Sequence, residues 1–73
     1  MGDEVPETFL FETSTHVLWA EEVALEAGIP VVVVPAPAET RDTCGLAIQT
    51  HSTSAKPFAD LLEEEEIPFK RYP

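Results

Sequence analysis

The chain has 73 residues, 14 of them acidic against 4 basic, for a formal charge of −10. Phosphate backbones and anionic lipid would repel that surface, which argues against nucleic acid and membrane as partners. One cysteine excludes an intramolecular disulfide framework and a multi-cysteine zinc site. At 44% hydrophobic residues the composition is that of a globular chain. A chain this short buries only about 60% of its unfolded surface, so the core is thin and leaves little room for a large cofactor. There is no apolar run of the roughly 18 residues that a membrane span needs.

The stretch from Met1 to Glu7 is acidic, contains Pro6 and has no apolar period. Residues 1–7 are expected as a flexible lead-in. The start lacks the basic n-region of a signal peptide, and Pro6 stands where a myristoylation signal needs Ser or Thr. A soluble cytoplasmic protein is therefore expected. Thr8 to Phe11 is a short β-favouring run, followed by Thr13-Ser14-Thr15, one of which should cap a helix. That first helix is expected from about Ser14 to Ala27. Val17, Ala20, Val23, Ala24 and Ala27 form its apolar stripe, and Gly28 ends it.

Val31 to Val34 is a run without alternation, the pattern of a strand with little solvent on either face. Pro35-Ala36-Pro37 should stop that strand, and a loop leads to Cys44-Gly45. Leu46 to Thr50 reads as a third strand with Leu46 and Ile48 on one face. A second helix is expected to start near Ser54, accept Pro57 in its first turn and bury Phe58, Leu61 and Leu62. It runs out in Glu63 to Glu66. Ile67 to Tyr72 reads as a last strand, with Pro68 suggesting a sheet edge.

The order β-α-β-β-α-β is the split pattern of a ferredoxin-like sandwich, an α+β fold with two helices on one face of an antiparallel sheet. Residues 8–73 are expected to form it as a single domain. In that topology the end of the first strand, the start of the first helix and the loop before the third strand share one edge. Cys44 would then lie near Thr13, Ser14, Thr15 and His16. Backbone N–H groups and the positive end of the helix would face that edge and favour a thiolate, the reactive form of cysteine. Arg41 would act in the same sense, and the glutamates closing the second helix in the opposite one. Gly45 adds no side chain and tolerates positive φ, so it leaves the cysteine accessible.

Two groups of residues resemble a known family. One is Phe11, Thr13-Ser14, Leu18, Ala20-Glu21 and Ala27-Gly28-Ile29; the other is Val34-Pro35-Ala36-Pro37 followed by Cys44-Gly45-Leu46-Ala47-Ile48. Together they are similar to the small bacterial selenium/sulfur carrier protein-like domains, over roughly Phe9 to Tyr72. Pro35 and Pro37, followed by the Cys-Gly-Leu-Ala-Ile run, are the most specific part. The resemblance implies a ferredoxin-like domain whose cysteine carries sulfur or selenium as a persulfide or its selenium analogue. The family usually has an arginine after the second proline, where this chain has Ala38, with Arg41 the available substitute. Thr40-Arg41-Asp42-Thr43 also replaces a serine-rich stretch.

Each candidate residue has a functional and a structural reading. Cys44 is either the sulfur or selenium acceptor or a small, half-buried residue at a strand start. His16 is either a base for Cys44 or an exposed residue of the first helical turn, the commoner situation. His51 falls at the opposite edge from Cys44, which argues against a shared metal site; no metal and no cofactor is expected. Leu18, Trp19 and Leu25 form a second apolar patch, either a dimer or partner face or the rim of a small core. Glu63 to Glu66 is either bait for a basic partner or a solvated helix end, the usual role of such runs.

The expectation is a carrier without turnover of its own. Cys44 would accept the chalcogen from a cysteine desulfurase or other persulfide donor and pass it to an acceptor protein, with Gly45 giving access and Ser14 and Thr15 supporting the thiolate. The rival is a dimerising or regulatory interaction module, such as a homodimer, with an inert cysteine. A conventional enzyme comes third, because neither a paired carboxylate site nor a phosphate-cradling glycine loop is visible.

Overall fold

Apolar residues along the short strands, and apolar spacing along each helix, leave surface on every element to be buried; the six elements meet those demands together. In chain order they are β1 (Glu7–Leu10), α1 (Ser14–Glu26), β2 (Val32–Pro35), β3 (Leu46–Thr50), α2 (Ser52–Glu64) and β4 (Lys70–Tyr72). This is a computed structural model, which describes residues 6–38 and 44–72. The four strands form one antiparallel sheet in the order β2-β3-β1-β4, the ferredoxin-like arrangement. Among the described residues no helix is long and apolar enough to cross a membrane.

Register shows which side chains face the helices. Phe9 pairs with Ile48, and Ile48 with Val33; Phe9 and Ile48 join the core cluster, with Val33 packed against it. From α1 the cluster takes Val17, Ala20 and Ala24, and from α2 it takes Ala55, Phe58 and Leu62. Small alanines let α1 approach the sheet closely, leaving volume for the aromatic residues. The Phe9 ring meets Phe58 edge-on at 4.9 Å between centroids and lies 5.5 Å from Phe69. The Arg71 guanidinium sits 4.9 Å from the Phe9 centroid and donates to Glu7 Oε1 at 3.0 Å.

Several boundaries differ from those expected. The valine run is not a central strand: β2 lies at the sheet edge with β3 as its one neighbour, and Val32 is 53% exposed. A run of valines reads alike in a central strand and in an edge strand. Pro35 does not precede the stop but is the last residue of β2, opposite Leu46, which suits an edge position where a missing donor costs little. Glu7 is not part of a lead-in; it opens β1 opposite Thr50. Residues 1–5 lie outside the described residues. Phe11 is buried beyond the end of β1, while Ala27 caps α1 and is exposed.

The second helix starts at Ser52, earlier than expected, so Pro57 falls in its interior rather than its first turn. Proline there removes the bond to the carbonyl of Thr53. Both residues are exposed, so water can reach that carbonyl. Leu61 is half-buried rather than buried. The last strand is shorter than expected because Ile67 belongs to the end of α2. Its N–H donates to Leu62 O at 2.9 Å and that of Glu66 donates to Glu63 O at 3.1 Å. This is a Schellman ending, with Ile67 and Leu62 both in the core. The same motif closes α1, through Ile29 N–H to Ala24 O at 2.9 Å and Gly28 N–H to Leu25 O at 3.1 Å.

Candidate functional site

Thr13 is the residue that caps α1. Its backbone is extended (φ −134°, ψ 154°), and its Oγ1 accepts from the His16 N–H at 3.1 Å. A helix leaves its first N–H groups without intrahelical acceptors. The Thr13 side chain takes that of His16, and those of Ser14 and Thr15 have no partner among the described residues. These N–H groups, with the positive end of the helix dipole, stand just after the end of β1.

Cys44 comes to the same turn. Its N–H donates to the Phe11 carbonyl at 3.3 Å, two residues before the Thr13 cap. The thiol is half-buried, with one side against the core cluster and its Sγ 3.8 Å from Leu46 O. Gly45 follows at φ +90°, in the left-handed region, with nothing within 4 Å of where a Cβ would stand. The open space around Gly45 and the reversed backbone therefore arise at one position, directly after Cys44. The Gly45 carbonyl accepts from the Ala36 N–H at 2.9 Å, which clips the two ends of the β2–β3 connection together between Pro35 and Pro37. Arg41 and its neighbours Thr40, Asp42 and Thr43 lie outside the described residues.

The remaining candidates fall in different places. Ser14 and Thr15 are exposed in the first turn of α1. His16 is half-buried, and its Nδ1 is buried without a hydrogen-bond partner among the described residues. No hydrogen bond joins it to Cys44; its ring lies 6.4 Å from that of Trp19. His51 follows Thr50, which pairs with Glu7 at the other end of the sheet. Among the described residues no group of three His, Cys, Asp or Glu side chains is arranged to hold a metal ion. The register Leu10–Lys70 brings the end of α2 to the Cys44 edge, so the exposed Glu63 to Glu66 make that edge acidic.

A family model described as "Putative Se/S carrier protein-like" matches residues 8–72. The chain belongs to this Se/S carrier-like family. No curated protein and no solved structure matches it.

The family match runs from the second residue of β1 to the last of β4 and so spans both helices and Cys44. Sequence reasoning missed two features, one beside Cys44 and one at the opposite edge of the sheet. The Phe11 carbonyl anchors Cys44, a backbone role that leaves no mark on residue type. A shallow, mostly apolar groove of about 310 Å³ opens at the opposite edge, lined by Pro6, Pro30, Val31, Val32, Gln49 and His51 among others. Its residues come from separate segments, joined where Thr50 Oγ1 donates to Pro30 O at 2.7 Å.

Proposed function

We propose that this protein carries sulfur or selenium on Cys44 as a persulfide or its selenium analogue, receiving it from a donor protein and passing it to an acceptor. The observation that carries the reading is the half-buried Cys44, anchored through its own N–H beside the start of α1 and followed by a glycine at φ +90°. Membership of the Se/S carrier-like family supports it. The Cys44 thiolate attacks the outer sulfur of a donor persulfide, R–S–SH. The donor S–S bond breaks as the new Cys44 S–S bond forms, and the donor leaves as a thiolate that takes up the proton Cys44 released. The transferred sulfur keeps its oxidation state, so neither oxidant nor reductant is consumed. Delivery to the acceptor repeats the exchange in the other direction. With selenium, the attacked atom is the outer selenium of R–S–SeH.

In this reading Gly45 gives the donor access, and the Ser14 and Thr15 N–H groups stabilise the thiolate, both as attacking and as leaving group. A lone thiol used in this way belongs to a reducing compartment such as the cytoplasm. The donor chemistry fits a cysteine desulfurase. The test is intact mass, without reductant, after incubation with a cysteine desulfurase and cysteine. The wild type should gain one sulfur and Cys44→Ser none. An unmodified wild type whose Cys44 also resists alkylation in the native state would overturn the proposal.

A further inference from the structure

The outer face of α1 is apolar where nothing covers it. Leu18 is 62% exposed and Leu25 65%, while Val17, Ala20 and Ala24 on the inner face are fully buried. At 100° per residue Leu18 and Leu25 lie within about 20° of each other and about 120° around the helix from the centre of the inner stripe. Trp19, 40% exposed, stands about 100° further round the helix, beyond Glu22 and Glu26 and beside the His16 ring. A helix that is apolar on both sides normally has both sides covered. Here the sheet and α2 cover one.

Charges around the two leucines are arranged against the helix itself. Glu22 and Glu26 are exposed on one flank and the half-buried Glu21 is on the other. Glu22 and Glu26 are spaced i, i+4, where like charges destabilise, and Glu26 is the last residue of α1, at the negative end of the dipole. The ion pairs among the described residues are Lys56–Asp60 at 3.3 Å and Arg71–Glu7 at 3.0 Å, and neither reaches α1. Two leucines in water and three unpaired carboxylates each weaken an isolated domain. A partner that is apolar at its centre and basic at its rim relieves both.

We infer that the Leu18–Leu25 face of α1 docks a basic amphipathic helix of a partner protein. The partner's apolar residues cover Leu18 and Leu25, and its Lys or Arg side chains reach Glu21, Glu22 and Glu26. A second copy of this chain does not meet the requirement. Pairing the face with itself sets six carboxylates together, and α1 contains no Lys or Arg to answer them. Steering between opposite charges also speeds encounter and makes it sensitive to salt. The inference is independent of the chemistry at Cys44.

Binding is read from the fluorescence anisotropy of a dye-labelled peptide added to the whole protein. The probe is a synthetic 18-residue amphipathic helix of Leu and Lys, with a Leu and Glu counterpart. The Leu/Lys peptide should bind wild type and Cys44→Ser equally, and the Leu/Glu peptide should bind neither. Leu18→Asn/Leu25→Asn should weaken binding at least about tenfold, roughly the 1.4 kcal/mol that one tenfold step represents, while keeping the circular dichroism spectrum. Glu63→Gln/Glu64→Gln/Glu65→Gln, on α2, should change it less than threefold. Equal binding by the Leu/Asn double variant, or an equal loss with the α2 variant, would reduce the effect to general attraction by an acidic protein and overturn the inference. So would sedimentation showing a wild-type dimer that the double variant abolishes.

Discussion

The amide of Cys44 donates to the carbonyl of Phe11 at 3.3 Å, so the residue that bears the thiol is held by its backbone and not by its side chain. The sulfur contributes only a long contact to Leu46 O at 3.8 Å and partial packing. Cys44→Ser and Cys44→Ala should therefore fold normally, each losing no more than about 1 kcal/mol, since a half-buried small side chain is involved. Urea denaturation checks this. A loss of several kcal/mol would mark Cys44 as a core residue.

Gly45 should be sensitive to substitution for a reason confined to the backbone. A Cβ at this position meets nothing within 4 Å, yet φ is +90°. Gly45→Ala should cost about 1–2 kcal/mol through left-handed strain, with no steric part. Gly45→Asn, which tolerates this region better, should lose less than Gly45→Ala. The order of the two denaturation midpoints is the measurement.

The two helix ends predict opposite signs for similar changes. Both finish in a Schellman motif, with Gly28 at φ +77° closing α1 and Glu66 at φ +61° closing α2. Gly28→Ala should destabilise by about 1–2 kcal/mol, because a Cβ is disfavoured there. Glu66→Gly should stabilise by about 0.5–1 kcal/mol, removing both that strain and a like charge at the negative end of the helix dipole. In thermal melts of a domain this size, 1 kcal/mol moves Tm by about 4–8 °C.

Removing the Thr13 hydroxyl should act on stability and on the Cys44 edge together. Thr13→Ala leaves the His16 N–H without its side-chain acceptor and should cost about 1 kcal/mol, whereas Thr13→Ser should be close to wild type. Loosening of the first turn also displaces the Ser14 and Thr15 N–H groups. Alkylation of Cys44 by iodoacetamide should then slow in Thr13→Ala and recover in Thr13→Ser. An unchanged rate would separate the helix start from the thiol.

Much of this architecture was legible because it rests on local rules. The hydroxyl cluster before Val17 marked the start of α1, Gly28 marked its end, and Cys44-Gly45 with the alternation of Leu46 to Thr50 gave β3 its bounds. The order of elements then implied the sheet and placed Cys44 at the edge where β1 ends. Other features were not legible. Nothing in Val31 to Val34 distinguishes an edge strand from a buried one. Four consecutive glutamates do not announce that the last turns left-handed, and Pro57 reads as a first-turn residue until the helix is seen to begin at Ser52.

Taken alone, the sequence determined the class of fold and the family resemblance and singled out Cys44 as the one cysteine, because these depend on periodicity, end signals and residue type. Tertiary structure decided which strands lie at the edges, that the Phe11 carbonyl anchors Cys44, and that Leu18 and Leu25 face water. Those outcomes depend on contacts between segments far apart in the chain. A backbone hydrogen bond or an uncovered helix face is a property of the partner segment as much as of the residue itself, so residue type alone does not encode it.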